Sequence, residues 1–256
     1  MDGLNKSIYD IGSDTAFAIL ARSNELIKSG NKVINLGIGQ PDFPTPNNII
    51  EVAVKALKDG HHGYSSSNGI LELREAVSQD FFNRNKVNVD PGDILITPGG
   101  KAVIFYTLLI FGQPGSEIIF PDPGFVAYKS MIDYTGATAV SLPHRMENNF
   151  SFDAQELLSL VNEKTRLIIF NSPANPTGGV VPKSEYIKLI KGLEKYPNVY
   201  ILSDEIYSRI LFDDNAHISL MSFPEIRDRV IVLDGWSKTY SMTGWRIGFG
   251  IFPKNI

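Results

Sequence analysis

Short apolar runs rich in branched residues alternate, over most of the chain, with segments whose apolar residues recur every three or four positions. The runs are Ile94 to Thr97, Glu117 to Pro121, Thr138 to Leu142, Arg166 to Asn171, Val199 to Asp204, Val230 to Gly235 and Arg246 to Phe252. Each is bounded by turn-forming residues and reads as a strand. Between them, Lys101 to Phe111, Val126 to Tyr134, Ala154 to Val161 and Lys183 to Lys195 carry the spacing of an amphipathic helix. Such alternation predicts an α/β fold, a three-layer α/β/α arrangement around a mostly parallel seven-stranded sheet.

The region before Ile94 has a different rhythm. A helical pattern covers Ala16 to Lys28, a short strand is predicted over Val33 to Leu36, and a loop follows that holds Gly37, Gly39, Pro41, Pro44 and Pro46. Helices are predicted over Asn47 to Lys58 and Leu71 to Asn83. Residues 1–46 therefore read as an N-terminal arm and a segment of a second, smaller unit, and residues 47–256 as the main domain. Little sequence follows the last predicted strand, so its far face is expected to lack cover and the chain to be incomplete at its C-terminal end.

Composition narrows the chemistry. With 24 basic and 28 acidic residues the formal charge is −4, which does not recommend a polyanionic partner, and no nucleic-acid binding is expected. The chain has no cysteine, which removes disulfides, thiolate metal sites and thiol nucleophiles and suits a reducing cytoplasm. Its histidines, at 61, 62, 144 and 217, never share the i, i+4 spacing of a helical ligand pair, so no metal site is expected. The longest strongly apolar stretch, Val103 to Phe111, is nine residues long, against about 20 for a membrane span. A cytoplasmic protein without a membrane partner is expected.

Polar residues collect at the C-terminal ends of four predicted strands, where an open α/β sheet presents its ligand crevice. Ile94 to Thr97 runs into Pro98, Gly99, Gly100 and Lys101. That turn opens an apolar helix, whose free N–H groups and dipole favour a phosphate; two glycines also serve an ordinary strand-to-helix turn. Arg166 to Phe170 leads to Asn171 and Asn175, Val199 to Leu202 to Asp204, Glu205 and Tyr207, and Val230 to Leu233 to Trp236, Ser237 and Lys238. Lys238, beside Trp236 and Tyr240, stands in surroundings that lower an amine pKa, as a Schiff-base lysine requires. Taken alone it also reads as a plain loop lysine. Asp204 follows apolar and small residues, and a buried acid needs a cationic partner. A protonated pyridine nitrogen is one such partner, and an acid facing it together with a Schiff-base lysine is the pyridoxal phosphate pattern.

Three motifs then carry a family resemblance: Asn171-Ser172-Pro173-Ala174-Asn175-Pro176-Thr177-Gly178, Ser203-Asp204-Glu205-Ile206-Tyr207, and Ser237-Lys238 followed by Gly244-Trp245-Arg246-Ile247-Gly248. In order and spacing the chain resembles the class I and II aminotransferases, fold-type I pyridoxal phosphate enzymes related to aspartate aminotransferase, over nearly its whole length from Leu36. The resemblance implies that the chain is the large domain of such an enzyme, with the C-terminal small domain absent. It implies that Lys238 holds pyridoxal 5'-phosphate through a Schiff base and later shuttles a proton. By the same resemblance Asp204 keeps the pyridine nitrogen protonated, and Asn175 and Tyr207 bond the ring's phenolic oxygen. Gly99, Gly100, Lys101, Ser237 and Arg246 hold the phosphate, and Phe125 stacks on the ring. Gly39 lies beside the substrate carboxylate, where Phe125 and Asn175 also contribute, and Tyr64 reaches the phosphate of a neighbouring subunit in a homodimer. The bonds before Pro173 and Pro176 are candidates for the cis form, which proline makes inexpensive.

The implied reaction moves an amino group from an L-amino acid to a 2-oxo acid. Two alternatives use the same residues or fewer: a carbon–sulfur β-lyase built on Lys238 and Asp204, and a non-catalytic cofactor-binding or dimerisation module. No residue here fills the family's role of arginine clamp on the substrate carboxylate; Arg209 and Arg227 are expected to be solvent-exposed charges.

Overall fold

A computed structural model describes residues 15–256; residues 1–14 of the predicted arm lie outside the described residues. Seven α-helices are described, α1 (Thr15–Lys28), α2 (Asn47–Lys58), α3 (Leu71–Asn85), α4 (Gly100–Phe111), α5 (Ala127–Thr135), α6 (Ala154–Leu160) and α7 (Lys183–Leu193). The strands are β1 (Ile94–Thr97), β2 (Glu117–Asp122), β3 (Thr138–Pro143), β4 (Thr165–Asn171), β5 (Tyr200–Asp204), β6 (Val230–Gly235) and β7 (Gly248–Ile251). They form one sheet in the order β1-β7-β6-β5-β4-β2-β3. Neighbours from β6 through β3 pair in parallel, while β7 runs antiparallel to both β1 and β6.

Why the sheet has helices on both faces is visible in one strand. In β4, Leu167 and Ile169 point into the cluster formed with α4 and α5, whereas Ile168 and Phe170 point into the cluster that contains residues of α3, α6 and α7. The two-residue period of a strand sends successive side chains to opposite faces, so a strand apolar at every position needs cover on both. Local signals end the helices. The Asp153 carboxylate caps α6, accepting from the amides of Gln155 at 2.8 Å and Glu156 at 2.9 Å, and α5 stops at Gly136 in the left-handed region.

Three expectations change. Val33 to Leu36 forms no strand; Ile34 and Leu36 are 81% and 91% exposed, and among the described residues no neighbouring strand supplies the ladder hydrogen bonds that would hold an extended segment. The last strand begins at Gly248 rather than Arg246, because Thr243–Trp245 forms a tight turn and Arg246 takes φ 56°, which breaks an extended run. Its far face is not bare. β7 inserts between β1 and β6 and all four of its residues are buried.

That insertion explains a glycine. A side chain at Gly248 would bring its Cβ to 2.7 Å from the Gly100 nitrogen and 2.9 Å from the Gly99 carbonyl carbon. β7 thus lies directly against the start of α4. On the other side of the crevice, the segment preceding α2 docks on the loop after β6. The Thr45 hydroxyl donates to the Ser241 carbonyl at 2.8 Å and accepts from the Trp245 indole at 3.2 Å. Among the described residues no helix is long and apolar enough to cross a membrane.

Candidate active site

Parallel strands all deliver their C-terminal ends to one edge of the sheet, so residues distant in sequence arrive together there. Asp204 closes β5 and pairs in register with Leu233 of β6, five residues before Lys238. Asn171 closes β4 opposite Asp204; its side-chain amide donates to the Asp204 carbonyl at 3.0 Å and its side-chain oxygen accepts from the Asn175 amide at 2.7 Å. The Asn175 loop is thereby tied to the end of β5. The bonds preceding Pro173 and Pro176 are cis, as is the one preceding Pro123.

Lys238 is half-buried. Its ammonium donates to the Gly39 carbonyl and lies 6.0 Å from the centre of the Tyr207 ring. Burial first, and the nearby Arg246 guanidinium second, hold its pKa below the ordinary lysine value. Both causes disfavour the charged amine. Asp204 is 5% exposed, and burial raises its carboxyl from 3.8 to about 6, against the opposing hydrogen bonds from Tyr128 and the Ile206 amide. Among the described residues no cationic side chain pairs with it. Tyr207 is near both groups: burial, then the Asp204 charge, push its phenol up to about 12.

At the other end of the crevice, Gly99 takes φ 86° and caps α4, and no side chain caps that helix. A side chain at Gly99 would meet the Arg246 guanidinium, a movable side-chain end, so it is the left-handed backbone conformation that favours glycine here. Arg246 also donates to the Thr243 carbonyl at 3.0 Å. Helix terminus and guanidinium together make an anion cradle. The Lys101 ammonium stands 5.5 Å from the Phe125 ring centre, and Phe125 packs edge-on against Tyr128 at 5.6 Å. Ser237 is buried in the turn that carries Lys238.

The fold therefore brings together Gly39, Gly99, Gly100, Lys101, Phe125, Asn175, Asp204, Tyr207, Ser237, Lys238 and Arg246. Tyr64 stands apart. It is 110% exposed in the loop between α2 and α3, and among the described residues no hydrogen bond or ring contact ties it to the others. Arg209 is exposed, as expected, and Arg227 is half-buried; both have partners. Arg209 holds both carboxylate oxygens of Asp80 at 2.6 Å and packs on Tyr240, while Arg227 donates to the Met221 carbonyl at 2.8 Å.

Sequence reasoning missed Tyr128 and the groups behind Asp204. The Tyr128 hydroxyl donates to Asp204 Oδ2 at 2.6 Å; its helical spacing from Phe125 hinted at a shared face but could not distinguish it from core. Glu205 is buried and accepts from Ser203 at 2.9 Å and Ser219 at 2.8 Å, and its other oxygen meets His217 Nε2 at 2.9 Å. Asp234 is paired with Arg84 at 3.3 Å, and burial raises its carboxyl to about 7. Charged residues next to apolar strand ends were the available signal; their partners lie too far along the chain to be read.

Residues 31–256 match the family model for aminotransferase class I and II. The chain is 38% identical over 257 residues to a probable aspartate/prephenate aminotransferase of Rickettsia prowazekii, covering 100% of this chain and 64% of that one. Its structure superposes on an aspartate aminotransferase from Thermus thermophilus solved with maleate, with a TM-score of 0.94 and 32% identity over 100% of this chain and 66% of that one. An aromatic aminotransferase from Pyrococcus horikoshii gives a TM-score of 0.83 at 36% identity, over 91% of this chain and 62% of the other. The chain thus spans somewhat under two thirds of the length of the curated relatives it matches.

Proposed function

Since the chain belongs to the class I and II aminotransferase family, we propose that it binds pyridoxal phosphate through Lys238 and transfers an amino group from an L-amino acid to a 2-oxo acid. The observation that carries this reading is Asp204: a buried carboxylate with no cationic side chain paired to it among the described residues, one strand away from an amine whose charge is disfavoured. A cationic ring nitrogen supplies the partner that Asp204 lacks. The uncapped start of α4 and the Arg246 guanidinium suit a phosphate equally well, so the residues present fit the cofactor at both ends.

Pyridoxal phosphate, when bound, supplies an electron-withdrawing ring that makes the α-proton of an amino acid acidic. The chain's residues have distinct tasks. Lys238, with its lowered pKa, is neutral in a larger fraction of molecules at neutral pH, and so would supply the amine that holds the cofactor's carbonyl carbon, with water leaving, and a base for the α-proton. Asp204 would hold positive charge on the ring nitrogen. Tyr207 and Asn175 would be the hydrogen-bonding partners of the ring's phenolic oxygen, and Phe125 would pack against the ring. The amides of Gly99, Gly100 and Lys101, with Ser237 and Arg246, would hold the phosphate. Gly39, with Phe125 and Asn175, would serve the substrate. Residues 47–256 serve as the cofactor-binding domain, residues up to 46 as an arm and small-domain segment, and a second copy contributes its Tyr64 in a cytoplasmic homodimer.

Borohydride reduction of the protein with pyridoxal phosphate, followed by peptide mapping, tests the reading. A pyridoxyl group on Lys238 is expected, and Lys238→Ala removes it; an adduct on another lysine in the wild type overturns the assignment. Aspartate is the first donor to try, given the names of the relatives. Release of pyruvate and ammonia from a cysteine conjugate without an oxo acid would instead mark a β-lyase. An adduct that no amino acid ever converts would mark a cofactor-binding module.

A further inference from the structure

We propose that Tyr128 is a positioning residue that keeps Asp204 ionised, and thereby sets the lower pH limit for holding the cofactor; this rests on the reading of the site given above. Tyr128 is fully buried, and its hydroxyl donates to Asp204 Oδ2 at 2.6 Å while the Ile206 amide donates to Oδ1 at 3.2 Å. The remaining charged or titratable groups that face Asp204 offer it no help. Tyr207 is a neutral phenol, and Glu205, the next residue along the chain, is an acid already engaged with His217, Ser203 and Ser219. Among the described residues the Tyr128 phenol is therefore the one side-chain donor on this carboxylate.

The direction of its effect follows from chemistry. An ionised carboxylate can only accept, and a phenol whose own pKa is raised well above the ordinary value remains a donor throughout the working range. Their bond favours the carboxylate over the acid. The contact between a ring nitrogen and Asp204 can share one proton but not two. A carboxyl that keeps its proton to higher pH therefore loses the cofactor at higher pH. A purely structural demand at this position would be met by phenylalanine, since Tyr128 already packs edge-on against Phe125 and its hydroxyl adds a polar atom at full burial.

The dissociation constant of pyridoxal phosphate is measured on the full chain from about pH 5 to about 9, which spans the relevant ionisations, by quenching of tryptophan fluorescence. Tyr128→Phe is expected to bind roughly tenfold more weakly on the acid side, with its acid limb moved up by about one unit, and to approach the wild type at high pH. A uniform loss at every pH, or an unchanged profile, would overturn the proposal. Incorporation of 3-fluorotyrosine at position 128, a stronger donor of nearly the same shape, moves the limb the opposite way; an unmoved limb counts against the proposal even where the phenylalanine variant does not fold. Carbon-13 titration of the Asp204 carboxyl without cofactor separates the two claims. A wild type that takes up no pyridoxal phosphate defeats the proposed function, whereas a carboxyl midpoint that is the same with tyrosine, fluorotyrosine and phenylalanine defeats the role of Tyr128.

Discussion

Asp204 is held in a state that suits ligand binding and disfavours the empty protein. Its carboxyl is raised from 3.8 to about 6, so between those values the folded protein binds more protons than the unfolded chain, and stability falls as pH rises through the window. Above it, the uncompensated charge is a standing penalty. Asp204→Asn leaves an acceptor for Tyr128 and removes that charge. Without cofactor, this variant is expected to be more stable than wild type by roughly 1–3 kcal/mol at pH 8 and indistinguishable near pH 4. Denaturant unfolding at the two pH values checks this, and the same variant should bind pyridoxal phosphate poorly. Lys238 and Asp204 were legible from the chain because each follows an apolar strand. Tyr128 was not, since a tyrosine in a helical stripe looks the same whether its hydroxyl meets a carboxylate or water.

Two elements depend on contacts that only the assembled sheet makes. Glu205, just after β5, is fastened to the loop bearing His217. Burial opposes both charges, yet each partner's charge and hydrogen bond win, lowering the Glu205 pKa and raising that of His217. The glutamate's share of the stability is present above its ordinary value and lost as pH falls. The histidine's share is present below its ordinary value and lost as pH rises through the raised one. Glu205→Gln should therefore cost roughly 3–5 kcal/mol, with the largest loss between about pH 4.5 and about pH 6.5, as a denaturation series across pH would show.

The Gly248 strand behaves differently. Gly248→Ala places a methyl group against the backbone of Gly99 and Gly100 rather than against a movable side chain. About 1–3 kcal/mol of destabilisation is expected, with weaker binding of pyridoxal phosphate because the start of α4 shifts. Calorimetry and a binding titration would check the two effects; a stable variant with normal affinity would show that the contact is slack. The start of β7 could not be read in advance. Arg246 looks acceptable in a strand until its guanidinium is drawn against Gly99, where a left-handed backbone brings it. Val33 to Leu36 fails for the converse reason, since its composition suits a strand but no neighbour among the described residues pairs with it.

At the scale of the molecule, several large apolar side chains have no cover. Leu36 is 91% exposed, Phe43 75% and Tyr64 110%, and α2 has no buried residue. Exposed apolar surface of this kind marks an interaction face, and these residues lie on the same N-terminal third of the chain as Gly39. Sedimentation is expected to show a concentration-dependent dimer, and Leu36→Asp combined with Phe43→Asp should shift it toward monomer. A monomer at all accessible concentrations would remove the proposed contribution of Tyr64 from a second copy.

What the sequence by itself determined is the alternation of strands and helices and the chemistry waiting at the strand ends, because hydrophobic period and turn residues are local properties. It carried the lysine, the acid and the glycine turn in a recognisable order. Only the tertiary structure decided that the last strand enters the middle of the sheet, that Arg246 meets Gly99, and that a phenol from α5 reaches Asp204. Those outcomes depend on which backbones lie side by side, and pairing between segments as distant as residues 94 and 251 leaves no periodic trace in either one.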